Sequence, residues 1–298
     1  MRRSIISLGL AAIVLLIWPA TGFAAGGPLP NIGTAGNYAV LGAATVTNTG
    51  PSWITGQVGL SPGTSITGFT QESGPGTSGH QDIANGASGQ AMIDLNTAYL
   101  SAAGATTTAN LTGDLGGRSP LVAGTYKYSS SAGLTGTLVL DGGGSTTNLW
   151  IFQIGSTLTT ASSSRVTLIN GAQPCDVFWQ VGSSATLGTS TTFVGNILAN
   201  TSITMTTGAT LNGRALAGAV TSSGAVTLDT NRIIQPSGCG YAVPAYVAPP
   251  AGNILPATLG VPWELRGSIP WLLVIGVGAG LGATAMGISS RRRRRRSA

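Results

Sequence analysis

Charge is scarce in this chain. Only 7% of its 298 residues are Asp, Glu, Lys or Arg, and it has a single histidine, His80, and two cysteines. The formal charge of +6 misdescribes its body, because Arg2, Arg3 and Arg291 through Arg296 put eight positive charges at the two ends. Between Gly26 and Gly240, five basic residues (Arg118, Lys127, Arg165, Arg214, Arg232) stand against seven acidic ones (Glu72, Asp82, Asp94, Asp114, Asp141, Asp176, Asp229), a net charge of −2. A nucleic-acid binder needs a basic patch to neutralise phosphates, so that class is set aside. Hydrolytic chemistry needs clustered carboxylates or a metal site, and these acids form no cluster in sequence. Asp114 and Asp141 lie in Gly-rich turns, where local hydrogen bonds to backbone are the ordinary role. His80 has no nucleophile elbow beside it. No lysine follows Gly142-Gly143-Gly144 to make a phosphate loop. The chain reads as a non-enzyme with no cofactor and no metal.

What it has instead is threonine in a repeated phrase. Thr157-Leu158-Thr159-Thr160, Thr186-Leu187-Gly188-Thr189, Thr204-Met205-Thr206-Thr207 and Thr227-Leu228-Asp229-Thr230 share the pattern Thr-(Leu/Met)-x-Thr. In a strand, successive side chains alternate between faces, so the Leu or Met points inward and its neighbours outward. The second and third copies are 18 residues apart, as are Gly195 and Gly213. Eighteen residues make three segments of six, one turn of a triangular coil with a short strand per side. The other steps are 29 and 23 residues, and Trp150-Ile151-Phe152-Gln153-Ile154-Gly155-Ser156 recurs as Val177-Phe178-Trp179-Gln180-Val181-Gly182-Ser183 at 27. Such self-similarity marks a solenoid whose rungs bury their faces against neighbours. The phrases predict a main outward rank of Thr157, Thr186, Thr204 and Thr227. A parallel rank would hold Thr159 and Thr206 with Gly188 and Asp229, and Thr160, Thr189, Thr207 and Thr230 would fall near a corner. The aromatic residues Trp150, Phe152, Phe178 and Trp179 sit in alternating strands and read as core or helix-facing rather than as a sugar platform. One stretch breaks the pattern: Ile83, Ala87, Ala91, Leu95, Ala98 and Ala102 recur every three or four residues. That predicts a helix over about 81–103, capped by Asp82 or a nearby serine and lying along the solenoid.

The ends carry processing signals. Residues 1–25 have the layout of a secretory signal peptide: Arg2-Arg3, an apolar run, then small residues around Gly22-Phe23-Ala24-Ala25. Residues 26–235 form the strand-rich domain, and 236–270, rich in Pro and Ala, read as a spacer. Residues 271–290 hold an uncharged run that predicts a membrane segment, with 291–298 as its basic cytoplasmic tail. Leu255-Pro256-Ala257-Thr258-Leu259-Gly260 looks like a sortase sorting motif, but Leu259 stands where the motif has glycine, so membrane anchoring is preferred over attachment to the wall. Either way the domain faces outward, at the cell surface. In that oxidising compartment Cys175 and Cys239 are expected to pair as a structural disulfide, since a metal site would need further ligands.

Several stretches together resemble the ice-binding-like family of secreted microbial antifreeze proteins. They are Gly36-Asn37-Tyr38-Ala39-Val40-Leu41-Gly42, Thr45-Val46-Thr47-Asn48-Thr49-Gly50, Ile54-Thr55-Gly56-Gln57-Val58-Gly59 with Ser61-Pro62-Gly63, Leu111-Thr112-Gly113-Asp114-Leu115-Gly116 and Ala123-Gly124-Thr125-Tyr126. The core pieces are Val177-Phe178-Trp179-Gln180-Val181-Gly182, Gly195-Asn196-Ile197-Leu198-Ala199 and Leu211-Asn212-Gly213-Arg214-Ala215-Leu216. The resemblance spans about residues 31–235. It implies an all-β fold, an irregular right-handed parallel β-solenoid of triangular cross-section, with one long α-helix packed alongside. It also implies adsorption to ice through one flat face, to which Thr157, Thr159, Thr186, Thr189, Thr204, Thr206, Thr227 and Thr230 are assigned. Threonine is also a good residue on any solvated strand. The competing class is therefore a surface adhesin or envelope structural protein that uses the solenoid for protein or glycan contacts.

Overall fold

Short runs of alternating apolar and small polar residues, punctuated by glycine and serine, favour many brief strands over helices. The computed structural model describes residues 30–69, 81–145 and 148–239, all within one compact unit of the chain, Met1–Asn253. His80, the signal peptide, the sortase-like hexapeptide, the membrane segment and the basic tail lie outside the described residues. Among the described residues, no helix is long and apolar enough to cross a membrane. The strands form a 14-stranded and a 7-stranded sheet, and the strand pairings are parallel throughout. Parallel pairing of successive short strands is what a coil produces, and the result is a β-solenoid.

The coil has three faces. One is the 7-stranded sheet. The other two belong to the larger sheet and are joined where Thr192–Ala199 and Thr210–Ala217 turn a corner in mid-strand. That corner is Gly195 paired with Gly213. Gly195 has φ +111°, and a Cβ on Gly213 would lie 1.9 Å from the Gly195 carbonyl oxygen. No side chain fits there, so the two paired strands bend side by side with nothing between them. The 18-residue glycine step is the mark of this corner.

The winding order is not the chain order. Tyr38–Gly42 pairs with Thr210–Ala217, Thr45–Thr49 with Ala225–Asp229, and Trp53–Thr55 with Arg232–Ile234. The N-terminal rungs therefore stack on the C-terminal end of the coil. The helix Gly86–Gly104 then returns the chain to the opposite end, where Ala109–Asn110 starts the remaining rungs. Inside the coil, Tyr126, Phe152, Trp179 and Phe193 form an aromatic column. Phe152 and Trp179 stack at 4.0 Å between ring centroids. The Trp179 indole N–H, which would be costly to bury alone, donates to the Val194 carbonyl at 2.9 Å.

The helix lies on one face. Ala91, Leu95, Ala98, Tyr99 and Ala102 pack against Leu41, Ile151, Phe178, Leu198 and Leu216. Its alanines bring backbone and sheet close, as the four-residue period predicts. It begins later than the sequence expectation of about 81, because Gln81–Ile83 is a strand paired with Gln57–Leu60 and Ala84 takes a positive φ of 47°. The cap is Asn85 rather than Asp82: its side chain accepts from the Ser88 N–H at 2.9 Å, and the Ser88 hydroxyl answers the Asn85 N–H at 3.2 Å. Asp82 is instead buried, accepting from the Tyr38 hydroxyl at 2.8 Å and the Asn85 amide at 2.7 Å.

Candidate functional site

With one face under the helix, two remain open. The 7-stranded sheet runs in the order Ala132–Leu134, Leu158–Thr160, Ala185–Leu187, Ile203–Met205, Ala225–Asp229, Thr45–Thr49 and Ser65–Thr67. Its registers align Gly133, Thr159, Thr186, Thr204, Thr227, Thr47 and Thr67 in one continuous outward rank. On either side of that rank, Ala132, Leu158, Ala185, Ile203, Val226 and Val46, then Leu134, Leu187, Met205 and Leu228, point inward and are buried. Six consecutive rungs thus present a threonine at the same height, each about 4.8 Å from the next. None of these six hydroxyls bonds to another described residue. Threonine is stiff at χ1, so the rank is ordered without internal ties.

The flanking ranks differ in that respect. Continuing the registers toward the chain's N-terminal side places Ser131, Thr157, Ser184, Ser202, Ala225, Thr45 and Ser65 together. There Thr157 donates to the Ser131 hydroxyl at 2.9 Å, and the Ser184 hydroxyl lies 3.0 Å from that of Thr201. On the other side lie Thr135, Ala161, Gly188, Thr206, Asp229 and Thr49. The Thr206 hydroxyl donates to the Leu187 carbonyl at 2.9 Å. Each turn leaving this face passes through a left-handed residue, such as Gly136, Ser163, Ser190, Gly208, Thr230 and Gly50, with φ between +54° and +74°. That repeated turn ends the alternation and starts the next face.

The predicted main rank differs from the observed one in a single rung. Thr186, Thr204 and Thr227 share a rank, but Thr157 stands in the flanking rank and Thr159 takes its expected place. Leu158 pairs with Ala185, not with Leu187, so the first phrase is out of step by two residues. The 27-residue step of the aromatic repeat carries the right register, since it maps Thr159 onto Thr186. The slip also turns Thr160 inward: it is 3% exposed, its hydroxyl lies 2.9 Å from that of Thr191, and it accepts from the Gly188 N–H at 2.8 Å. Thr189, Thr207 and Thr230 are exposed at the corner. Thr47 and Thr67, absent from the expected set, extend the rank beyond Thr227. Thr45-Val46-Thr47 has the right alternation for this, but the sequence gives no sign that N-terminal strands pair with C-terminal ones.

Electrostatically the face is nearly blank. Asp229 is the one charged side chain in the three ranks, and its carboxylate accepts from the Thr207 hydroxyl and, at 3.1 Å, from that of Thr230. Asp114 and Asp141 are employed elsewhere. Asp114 accepts from the Gly116 and Thr135 N–H groups at 2.8 and 2.9 Å. Asp141 is held below the usual carboxylate range by the Gly143 N–H and the Asn170 amide. Among the described residues, no three His, Cys, Asp or Glu side chains stand together as metal ligands. Cys175 and Cys239 are joined by a disulfide. Beside it the buried Arg214 donates to the Gly36 carbonyl at 3.0 Å and to Asn196 at 2.9 Å.

The ice-binding-like family matches residues 40–234 of the chain. An ice-binding protein of Nostoc sp. (strain HG1) is 50% identical over 227 residues, 74% of this chain and 81% of its own length. One from Flavobacterium frigoris (strain PS1) is 36% identical over 223 residues, 70% of this chain and 77% of its own. Among solved structures, an ice-binding protein from the Antarctic ascomycete Antarctomyces psychrotrophicus superposes with a TM-score of 0.64 at 42% identity, covering 69% of this chain and 97% of that one. With its coil, its accompanying helix and its matched length in agreement, this chain belongs to the ice-binding-like family.

Proposed function

We propose that the chain adsorbs to ice through the threonine face and so restrains the growth or recrystallisation of ice. The carrying observation is the rank of six threonine hydroxyls, one per rung, that no other described residue engages. A rung repeat of about 4.8 Å lies close to oxygen spacings on certain ice planes. Each methyl discourages loosely held water while each hydroxyl fixes a water at a set height. A layer of water ordered in this way can merge with the lattice, and the scarcity of charge on the face leaves that layer undisturbed. Adsorbed molecules pin the ice front, which bulges between them, and curved ice melts at a lower temperature.

Contact, not catalysis, is the activity of this reading, and it needs no cofactor. The disulfide agrees with export into an oxidising compartment. A copy held at the cell surface, which the sequence of residues 271–298 alone favours, would tie a cell to ice or protect water next to it. The competing reading, an adhesin or envelope structural protein, finds no support among the relatives named above. The purified chain should shape ice crystals and show thermal hysteresis. Replacing both Thr204 and Thr227 by Tyr should remove both effects while the thermal unfolding profile stays unchanged. An inactive wild type would sink the ice reading, and an active double variant would move the contact to another face.

A further inference from the structure

The second open face has an outward rank of its own. Its registers place Trp53, Arg232, Thr210, Thr192, Arg165 and Thr137 side by side, one per rung. The next positions along, Ile54, Ile233, Leu211, Phe193, Val166 and Leu138, are buried. This face therefore alternates as regularly as the threonine face, with the same spacing of about 4.8 Å. Half of the rank is threonine, and Thr192 and Thr210 are neighbours at its middle.

Three side chains distinguish it. Arg165 and Arg232 are exposed, and Trp53 is 60% exposed. Neither guanidinium makes a hydrogen bond or ion pair with another described residue, so the fold itself gives no reason for either. We propose that Arg165, Arg232 and Trp53 confine ice contact to the threonine face by keeping an otherwise suitable second face off the lattice. The proposal rests on the ice-binding reading above. A guanidinium carries five N–H donors, and removing it from liquid water without a partner costs free energy. An ice surface offers no carboxylate to repay that cost. Placed on both sides of the Thr192–Thr210 pair, the two arginines hold their own hydration shells over the rungs that could order a lattice-like layer. The Trp53 indole stands proud of its neighbours and spoils the plane at one end. Contact through a single face leaves the other sides of an adsorbed molecule in liquid water.

The test uses three full-length proteins. They are the wild type, a face-blocked variant (Thr204→Tyr with Thr227→Tyr), and the blocked variant carrying Arg165→Thr, Arg232→Thr and Trp53→Thr in addition. Each is followed by thermal hysteresis, by enrichment of the fluorescently labelled protein in a growing ice hemisphere, and by thermal unfolding. The expected result is an active wild type, a silent blocked variant, and recovery in the third protein to about tenfold above the blocked one, the factor that ~1.4 kcal/mol provides. A folded third protein as silent as the blocked variant, beside an active wild type, overturns the proposal and leaves the threonine-face reading standing. A blocked variant that still enriches in ice also overturns it, because the second face was then never silenced. An inactive wild type removes both. Should the third protein fail to fold, Thr186→Arg in the otherwise unaltered chain poses the same question at an accessible position. Enrichment in ice should fall by about tenfold, and an undiminished value counts against the proposal.

Discussion

At the scale of single residues, one hydroxyl's neighbours decide its use. Thr157, just before the strand Leu158–Thr160, and Thr159 within it lie on the same face, yet Thr157 spends its proton on Ser131 while Thr159 bonds to no described residue. Thr159→Val should therefore weaken adsorption to ice by about tenfold, and Thr157→Val should leave it nearly unchanged, as read by enrichment in an ice hemisphere. Equal losses would mean that internal bonding does not matter. The sequence made the alternation of Leu158 and its flanking threonines legible, because period-two patterning is local. It left the register of that rung ambiguous by two residues, a shift that preserves every inward and outward assignment except at the ends of the strand. Thr160 paid for the ambiguity by turning out to be buried. A second residue-scale effect belongs to Asp176, in the short turn Pro174–Asp176 beside Cys175. Burial pushes its carboxyl up from 3.8 to about 6. Between those values the folded state holds a proton that the unfolded state has lost, so stability declines as pH rises from about 4 to about 6. Asp176→Asn should flatten this limb, making the variant the more stable protein at pH 7 and no better at pH 4 in denaturant titrations.

At the scale of elements, the helix was legible in outline and its ends were not. The recurrence of small and apolar residues at four-residue steps fixes which face meets the sheet. Its start depends on Asn85 and Ser88 bonding to each other's backbone, a reciprocal cap that replaces the acidic one a reader would choose first. Its end depends on a residue far away in sequence. The Gln153 amide donates to the Ala102, Ala103 and Ala105 carbonyls at 2.9, 3.1 and 2.7 Å, while its oxygen accepts from Thr107 at 3.1 Å. The last carbonyls of a helix have no partner within it, and here one glutamine from the covered sheet shares its two N–H groups among three carbonyls at that end. Nothing in the helix's own sequence announces that. Gln153→Leu keeps the bulk but removes these donors, leaving the buried Ala102 carbonyl only the long 3.4 Å bond from the Ala105 N–H. It should cost about 2–3 kcal/mol of unfolding free energy and increase amide exchange in the final helical turn. Hysteresis should persist, because the helix and the threonine rank occupy different faces. A loss of hysteresis in a folded variant would show that the helix sets the flatness of the opposite sheet.

At the scale of the whole molecule, the discontinuous winding explains what a linear reading misses. Periodicity along the chain reveals rungs that follow one another, as with Gly195 and Gly213, but Thr47 joins Thr227 across 180 residues with no period to mark it. The N-terminal rungs have a surface to stack on only after the C-terminal rungs have wound. Two devices hold that surface in place. Arg214 reaches from the Thr210–Ala217 strand to the Gly36 carbonyl, and to that of Pro236 at 3.4 Å. The disulfide ties Cys239, just beyond the last strand, to Cys175, 64 residues earlier, enclosing the rungs on which the N-terminal part is laid. Closing a loop of 64 residues removes about 4 kcal/mol of unfolded-state entropy. Replacing both cysteines by Ser should therefore lower the unfolding midpoint on the order of 10 °C, and reductant should do the same to the wild type without affecting the variant. Hysteresis near the freezing point should remain in both, since no threonine of the central rank touches the bridge and enough stability survives at low temperature. The outcome that would revise this account is a variant that stays folded but has lost hysteresis. It would mean that the N-terminal rungs, with Thr47 and Thr67, had come away from the coil and shortened the rank from six threonines to four.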